Sequence, residues 1–125
     1  MPISYSIDEE NNCILETWTG MITASDLGAY WRHYLADPDV MAIRRTVVDL
    51  RECRILFSGE QLAELVESIV LPQLNGLDWK SAIVVTDPIQ FEITRQYHIL
   101  AESYSRDSIF DSPKAAMEWL QGQAA

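Results

Sequence analysis

Two cysteines, two histidines and a scatter of aspartates are the residues of this chain whose types could do chemistry. Cys53 stands out because Arg51 and Arg54 flank it. Neighbouring cations lower a thiol's pKa and raise the fraction of attacking thiolate. The plainer reading is an ordinary, partly buried thiol, since no nucleophile signature surrounds either cysteine. Cys13 sits in a β-rich apolar run and reads as a small core filler. His33 and His98 are 65 positions apart and the two cysteines 40 apart, which matches no zinc-ligand spacing. No glycine-rich phosphate cradle occurs. Asp49, Asp87 and Asp111 fall near the C-terminal ends of successive expected strands, the edge at which open α/β sheets bind ligands. Asp87 stands before Pro88 and has a simpler role as a helix cap, and Asp111 also precedes an expected helix. These residues imply no metal and no cofactor, and the expectation is a protein that is not an enzyme.

One segment departs from the average charge. The chain carries −10 in 125 residues. Positions 44–54 hold Arg44, Arg45, Arg51 and Arg54 against Asp49 and Glu52, a local +2. That cationic stretch runs into the apolar triplet Ile55, Leu56 and Phe57, and then into Ser58 and Gly59. Backbone N–H groups at a helix start attract anions. An apolar triplet beside a cationic stretch suits an amphipathic acid or a protein partner. It also suits a core segment beside surface arginines.

Elements must position these residues, and short ones are legible throughout. Ile3–Ile7 alternates with period 2, and Cys13–Thr19 is rich in β-formers, with Asn11 and Asn12 as turn residues between them. The pair reads as a hairpin. A helix is expected from about Ser25, as N-cap, to Ala36. Leu27, Trp31, Tyr34 and Leu35 form its apolar face, with Tyr30 and His33 to the side. Exposed aromatics there would suit self-association into a homodimer. Asp37 and Pro38 are expected to end that helix. Thr46–Leu50 reads as a strand. Ser58 with Gln61 three residues later matches a capping box and opens a second helix, whose ragged end is marked by Pro72 and Gly76. Ser81–Thr86 is a continuous apolar run suited to a central strand. Asp87–Pro88 opens a third helix, with Ile89, Ile93, Tyr97 and Leu100 as its apolar stripe and Phe91 nearby. Asp107–Phe110 is a last strand, and Ser112–Pro113 opens a fourth helix.

The order is therefore β-β-α-β-α-β-α-β-α. It implies an α/β fold in one domain spanning 1–125, with a mostly parallel five-stranded sheet, an antiparallel N-terminal strand and four helices. Hydrophobic residues make up 48%, a globular composition. The acidic balance disfavours nucleic acid as a partner. No apolar run approaches the ~20 residues that span a bilayer. The N-terminus lacks the basic and apolar regions of a signal peptide, and a cytoplasmic location is expected.

The run of motifs resembles the SpoIIAA-like fold of STAS domains and anti-sigma factor antagonists. Val47-Val48-Asp49-Leu50, Ser58-Gly59 opening a helix, and Ala82-Ile83-Val84-Val85-Thr86-Asp87 carry the likeness. The ending Ala116-Met117-Glu118-Trp119-Leu120 is similar to that of small stand-alone bacterial STAS/SEC14-like proteins. In antagonists, an Asp-Ser-Ser/Thr-Gly motif carries a phosphorylated serine. Here Leu56 replaces the Asp and Phe57 the phosphorylated Ser, so the kinase-driven switch does not carry over.

The resemblance implies a non-enzymatic binding module that meets a protein partner through loop 51–58 and the helix after it. Its site candidates are Asp49, Arg51, Cys53, Arg54, Leu56, Phe57, Ser58, Gly59, Asp87 and Phe91. The SEC14-like side of the resemblance implies an alternative, a carrier of a small apolar or lipid-like ligand, with Ile55–Phe57 and the Ile89/Phe91 helix lining or gating the pocket. A Cys53-dependent enzyme is a third reading.

Overall fold

The computed structural model describes residues 2–122. β1 (Ile3–Asp8) and β2 (Cys13–Ile22) form the hairpin, and its turn uses Asn12 at φ 50°, a conformation that asparagine tolerates better than most residues. Then follow α1 (Ala24–Tyr34), α2 (Pro38–Ile43) and β3 (Arg45–Ile55). Next, α3 (Gly59–Leu65) continues through a π-helical turn (Val66–Val70) into α4 (Leu71–Leu74). β4 (Trp79–Val84), α5 (Pro88–Leu100), β5 (Ser105–Phe110) and α6 (Pro113–Leu120) complete the order.

The five strands lie side by side in sequence order, β1 antiparallel to β2 and all later neighbours parallel. Successive parallel strands that advance in one direction through crossovers of one hand must place their helices on one face. The packing agrees. α1 through α5 share the large core with one sheet face. The other face holds a small core of Cys13, Val47, Ala82 and Val84 against Ala116 and Leu120 of α6. Lys80 donates to the backbone carbonyls of Trp119 and Leu120, and Arg45 to that of Leu120, so cations satisfy the C-terminal end of α6.

Several expectations shift. Asp37 and Pro38 end α1, but they also open a fifth helix, α2: Asp37 is its N-cap and accepts from the Asp39 N–H. This is the same cap-plus-proline device that starts α5 and α6. The cap of α1 is Thr23, not Ser25, and Asp26 reciprocates in a capping box. The helix from Gly59 runs through Pro72 to Leu74. Pro72 has no N–H for an i−4 bond, and the π-helical turn immediately precedes α4, which contains it. β5 begins at Ser105 rather than Asp107.

β3 is the largest revision. It extends to Ile55, paired with Ile22 of β2, so most of the expected loop 51–58 is strand. Thr17 pairs with Asp49 but Thr19 with Glu52, which places Leu50 and Arg51 opposite the single residue Trp18. This is a β-bulge, and it bends the C-terminal half of the strand. Gln90, buried on α5, donates its amide to the carbonyls of Leu50 (2.7 Å) and Cys53 (3.1 Å). That bond anchors the start of α5 to the bulge.

Candidate functional site

Most of the residues singled out by sequence gather at the C-terminal edge of the sheet, where β3 leads into α3 and β4 into α5. Their side chains divide into structural and exposed groups. Arg51 grips Asp49 through Nε (3.0 Å) and a second guanidinium nitrogen (2.9 Å). Burial pulls the Asp49 carboxyl up, but the Arg51 side chain and backbone N–H bring it below its ordinary value. Ser58 caps α3, accepting from the Gln61 N–H while its own N–H donates to Gln61. A Cβ at Gly59 would come within 1.9 Å of the Gln96 side-chain oxygen, so the Gln96 side chain of α5 fills the space beside this glycine. Asp87 caps α5 by accepting from the Gln90 N–H at 2.8 Å.

Cys53 and Phe57 do not face solvent. Phe57 is in the large core beside Trp18, with ring centroids 6.4 Å apart. Cys53 is buried in the same core. Its thiol is pushed up to about 12, by burial first and then by Asp87 and Asp49. The flanking arginines do not activate it: Arg51 is engaged with Asp49, and Arg54, the next residue along the strand, is exposed. What this edge does expose is Leu56 and Phe91, with Met21 and Ile89. Ile89 lies outside the buried stripe expected for α5. That helix instead buries two polar residues, Gln90 and Thr94. Tyr30, expected beside the core, is buried, whereas Trp31 is half-buried.

A second candidate site lies outside the sequence motifs. Between the helix-facing side of the sheet and α1, the π-helical turn, α4 and α5 there is a cavity of about 80 Å³. Apolar and aromatic side chains make most of its wall, including Trp18, Trp31, Tyr34, Trp79 and Tyr97. Polar groups interrupt that wall. Thr46 of β3 and Ser81 of β4 are cross-strand partners, and Asp107 of β5 continues the row beyond Ser81. Thr46, Ser81 and Thr94 line the cavity. Glu16 of β2 is inward between Ile14 and Trp18 and is 5% exposed.

Glu16 is the one formally charged residue among the described residues that line this cavity. Its two oxygens accept from Trp18 Nε1 (2.7 Å) and the Tyr30 hydroxyl (2.8 Å). No cation pairs with it among the described residues. Burial raises its pKa, opposed by those two hydrogen bonds. The Tyr34 ring stacks on Tyr30, and its hydroxyl is buried near Thr46 but makes no hydrogen bond. An orphaned buried hydroxyl costs roughly 1–3 kcal/mol of desolvation. Such groups are rare enough to point to a use. At the far end, Tyr97 and Tyr104 share a hydroxyl–hydroxyl contact of 2.9 Å. Asp107, its carboxyl raised by burial, has one oxygen held by Ser105 at 2.6 Å, while the other makes no hydrogen bond and lies 3.9 Å from His98 Nδ1.

The signal for these residues was present in the strand pattern. In β2, period 2 puts Glu16 on the face of Ile14 and Trp18, and a charged residue at an inward position is the exception worth asking about. Among the described residues, no group of three or more His, Cys, Asp or Glu is placed to hold a metal. Among the described residues, no helix is long and apolar enough to cross a membrane.

Comparison with known proteins fits the architecture. No protein-family model matches the sequence, and no curated protein does. Among solved structures, the chain is similar to a protein of the DUF3478 family with a SpoIIAA-like fold, from Shewanella loihica PV-4. The identity is 16%, the TM-score 0.60, and the match covers 94% of this chain and 91% of the other. The fold is SpoIIAA-like: an α/β domain whose five-stranded mixed sheet has β1 antiparallel and the rest parallel.

Proposed function

We propose that this SpoIIAA-like domain is a non-catalytic binding module that carries a small, largely apolar ligand with a polar handle. The ligand occupies the cavity between the sheet and α1–α5. The observation that carries this reading is the Tyr34 hydroxyl, buried and without a partner at a wall otherwise made of tryptophan, tyrosine and aliphatic side chains. Ligand sites are concave and mostly apolar, with a few convergent polar groups that fix orientation. Glu16, Thr46, Ser81 and Thr94 supply those groups here. The ligand meets the inner face of the sheet rather than Leu56 or Phe91 at its edge.

Native mass spectrometry of the purified protein tests the carrier reading. A bound species of discrete mass is expected, released on denaturation. Thr94→Phe fills the cavity from α5 and is expected to lose that species while keeping a cooperative unfolding transition. A ligand-free spectrum from freshly purified protein, or a bound species that Thr94→Phe retains, would sink the idea.

A second reading is favoured by a separate observation. Met21, Leu56, Ile89 and Phe91 are each exposed at the strand-end edge, at 48% or more. Exposed apolar groups around a sheet edge suit a protein partner. The contact would then be made by Leu56, Phe91 and Arg54, and not by the buried Phe57. Leu56→Asp combined with Phe91→Asp should abolish retrieval of the partner in a pull-down; unchanged retrieval would remove this surface from consideration.

A further inference from the structure

The cavity wall has two properties that together narrow the ligand's chemistry. The first is aromatic density. Three of the chain's four tryptophans, Trp18, Trp31 and Trp79, line it, joined by Tyr34 and Tyr97. Trp31 and Tyr97, with ring centroids 6.1 Å apart, flank it between α1 and α5, and Tyr34 and Trp79, at 6.2 Å, flank it between α1 and β4. The faces of such rings are negative and attract cations, tryptophan most strongly. The second is charge. Glu16 supplies an acid in the wall, and no described lining residue supplies a base. Taking a carboxylate out of water without a countercharge is costly. A bound cation would supply the countercharge that the protein itself does not.

We propose that the cavity recognises a small organic ammonium group, seated among the tryptophan and tyrosine rings with Glu16 as its counter-ion. The proposal rests on the carrier reading and specifies its ligand class. The size agrees. One water needs about 10–15 Å³ by this kind of volume, so about 80 Å³ accommodates a group of roughly five heavy atoms, the size of a tetraalkylammonium head. The Tyr34 hydroxyl can accept from an N–H on a primary or secondary ammonium, or turn toward a polar substituent. The long-range field agrees as well, since a chain of net charge −10 raises the local concentration of cations and repels anions.

The test uses the full chain and a charged–neutral pair of equal shape. Choline chloride is titrated against tryptophan fluorescence and thermal unfolding, beside 3,3-dimethyl-1-butanol, which replaces the quaternary nitrogen by carbon. Sodium chloride at matched ionic strength serves as the salt control. Choline is expected to give a saturable fluorescence change and a rise in Tm, with the neutral alcohol at least tenfold weaker. Glu16→Gln is expected to weaken choline at least tenfold and to leave the alcohol's affinity unchanged. Equal binding of choline and the alcohol, or undiminished choline binding by Glu16→Gln, overturns the ammonium assignment while the carrier reading survives. No saturable response to choline also overturns it. The wild-type comparison stands alone if the variant fails to fold. A ligand-free native mass spectrum, by contrast, strikes the carrier reading itself.

Discussion

The Tyr30 hydroxyl donates to Glu16 at 2.8 Å inside the core, and the two residues are 14 positions apart in sequence. Glu16 comes from β2 and Tyr30 from α1, the first helix laid over that strand. The bond joins the helix layer to the sheet at the one formal charge in the cavity wall. It also fixes the side of α1 that turns inward, so that Tyr34, one turn later, is brought to the same wall.

Burial makes Glu16 a pH-sensitive weakness in the fold. Its folded pKa is raised above the ordinary value of 4.5. The folded state therefore binds more protons than the unfolded state at and above that value, and stability falls as pH rises through this window. Glu16→Gln removes the titration and keeps the shape. Denaturant unfolding at several pH values from 4.5 upward should show the variant gaining on the parent protein as pH rises. A parent-to-variant difference that stays constant with pH would show that the carboxyl is not penalised by its surroundings.

Tyr34→Phe should separate folding from binding. The hydroxyl is buried without a partner, so its removal relieves desolvation and leaves the ring packing against Tyr30 and Trp79. We expect stability to rise by about 1 kcal/mol, seen as a higher urea midpoint with an unchanged slope, and ligand retention to fall. A loss of stability would mean that the hydroxyl is satisfied in solution.

Cys53 should behave as a core residue. Its thiol is pushed up to about 12 and its side chain is buried in the large core, while Cys13 is buried in the small core on the opposite sheet face. Iodoacetamide at pH 8 is expected to label neither cysteine in the native protein, and both in urea. Fast, selective labelling of Cys53 without denaturant would restore the case for a nucleophile at this position.

These outcomes bear on how far the sequence could be read. Element order and strand direction follow from patterns that no tertiary contact overrides. The β-rich alternation of Ile3–Ile7, the apolar run Ser81–Val85 and the caps at Ser58, Asp87 and Ser112 all persist in the fold. The start of α2 was equally legible, because Asp37–Pro38 is the same device. In the sequence it marks only a stop, since a helix of six residues has too few positions to show periodicity. The extent of β3 was not legible. Arg51, Glu52 and Arg54 look like loop, and only pairing with β2 and the Gln90 bridge hold them in strand. The cavity was hidden for a different reason. Glu16, Thr46, Ser81 and Thr94 are spread over four elements, and only the strand register and the helix layer bring them together. A search for spaced motifs finds residues that are near in sequence, whereas this site is near only in space.

Phe57 and Leu56 allow the edge to be tested without confusing surface with core. They are adjacent in sequence, yet Phe57 is 6% exposed and Leu56 49%. Phe57→Ala removes a core ring packed on Trp18 and should cost about 3 kcal/mol or more in denaturant unfolding. Leu56→Asp should change stability by no more than about 0.5 kcal/mol, as surface substitutions do. If only Phe57→Ala weakens partner retrieval, the loss tracks unfolding and says nothing about contact. If Leu56→Asp weakens it at full stability, the edge is an interface. The pair also separates the two uses this short segment can have. One of its side chains anchors the start of α3 in the core, and the other is exposed.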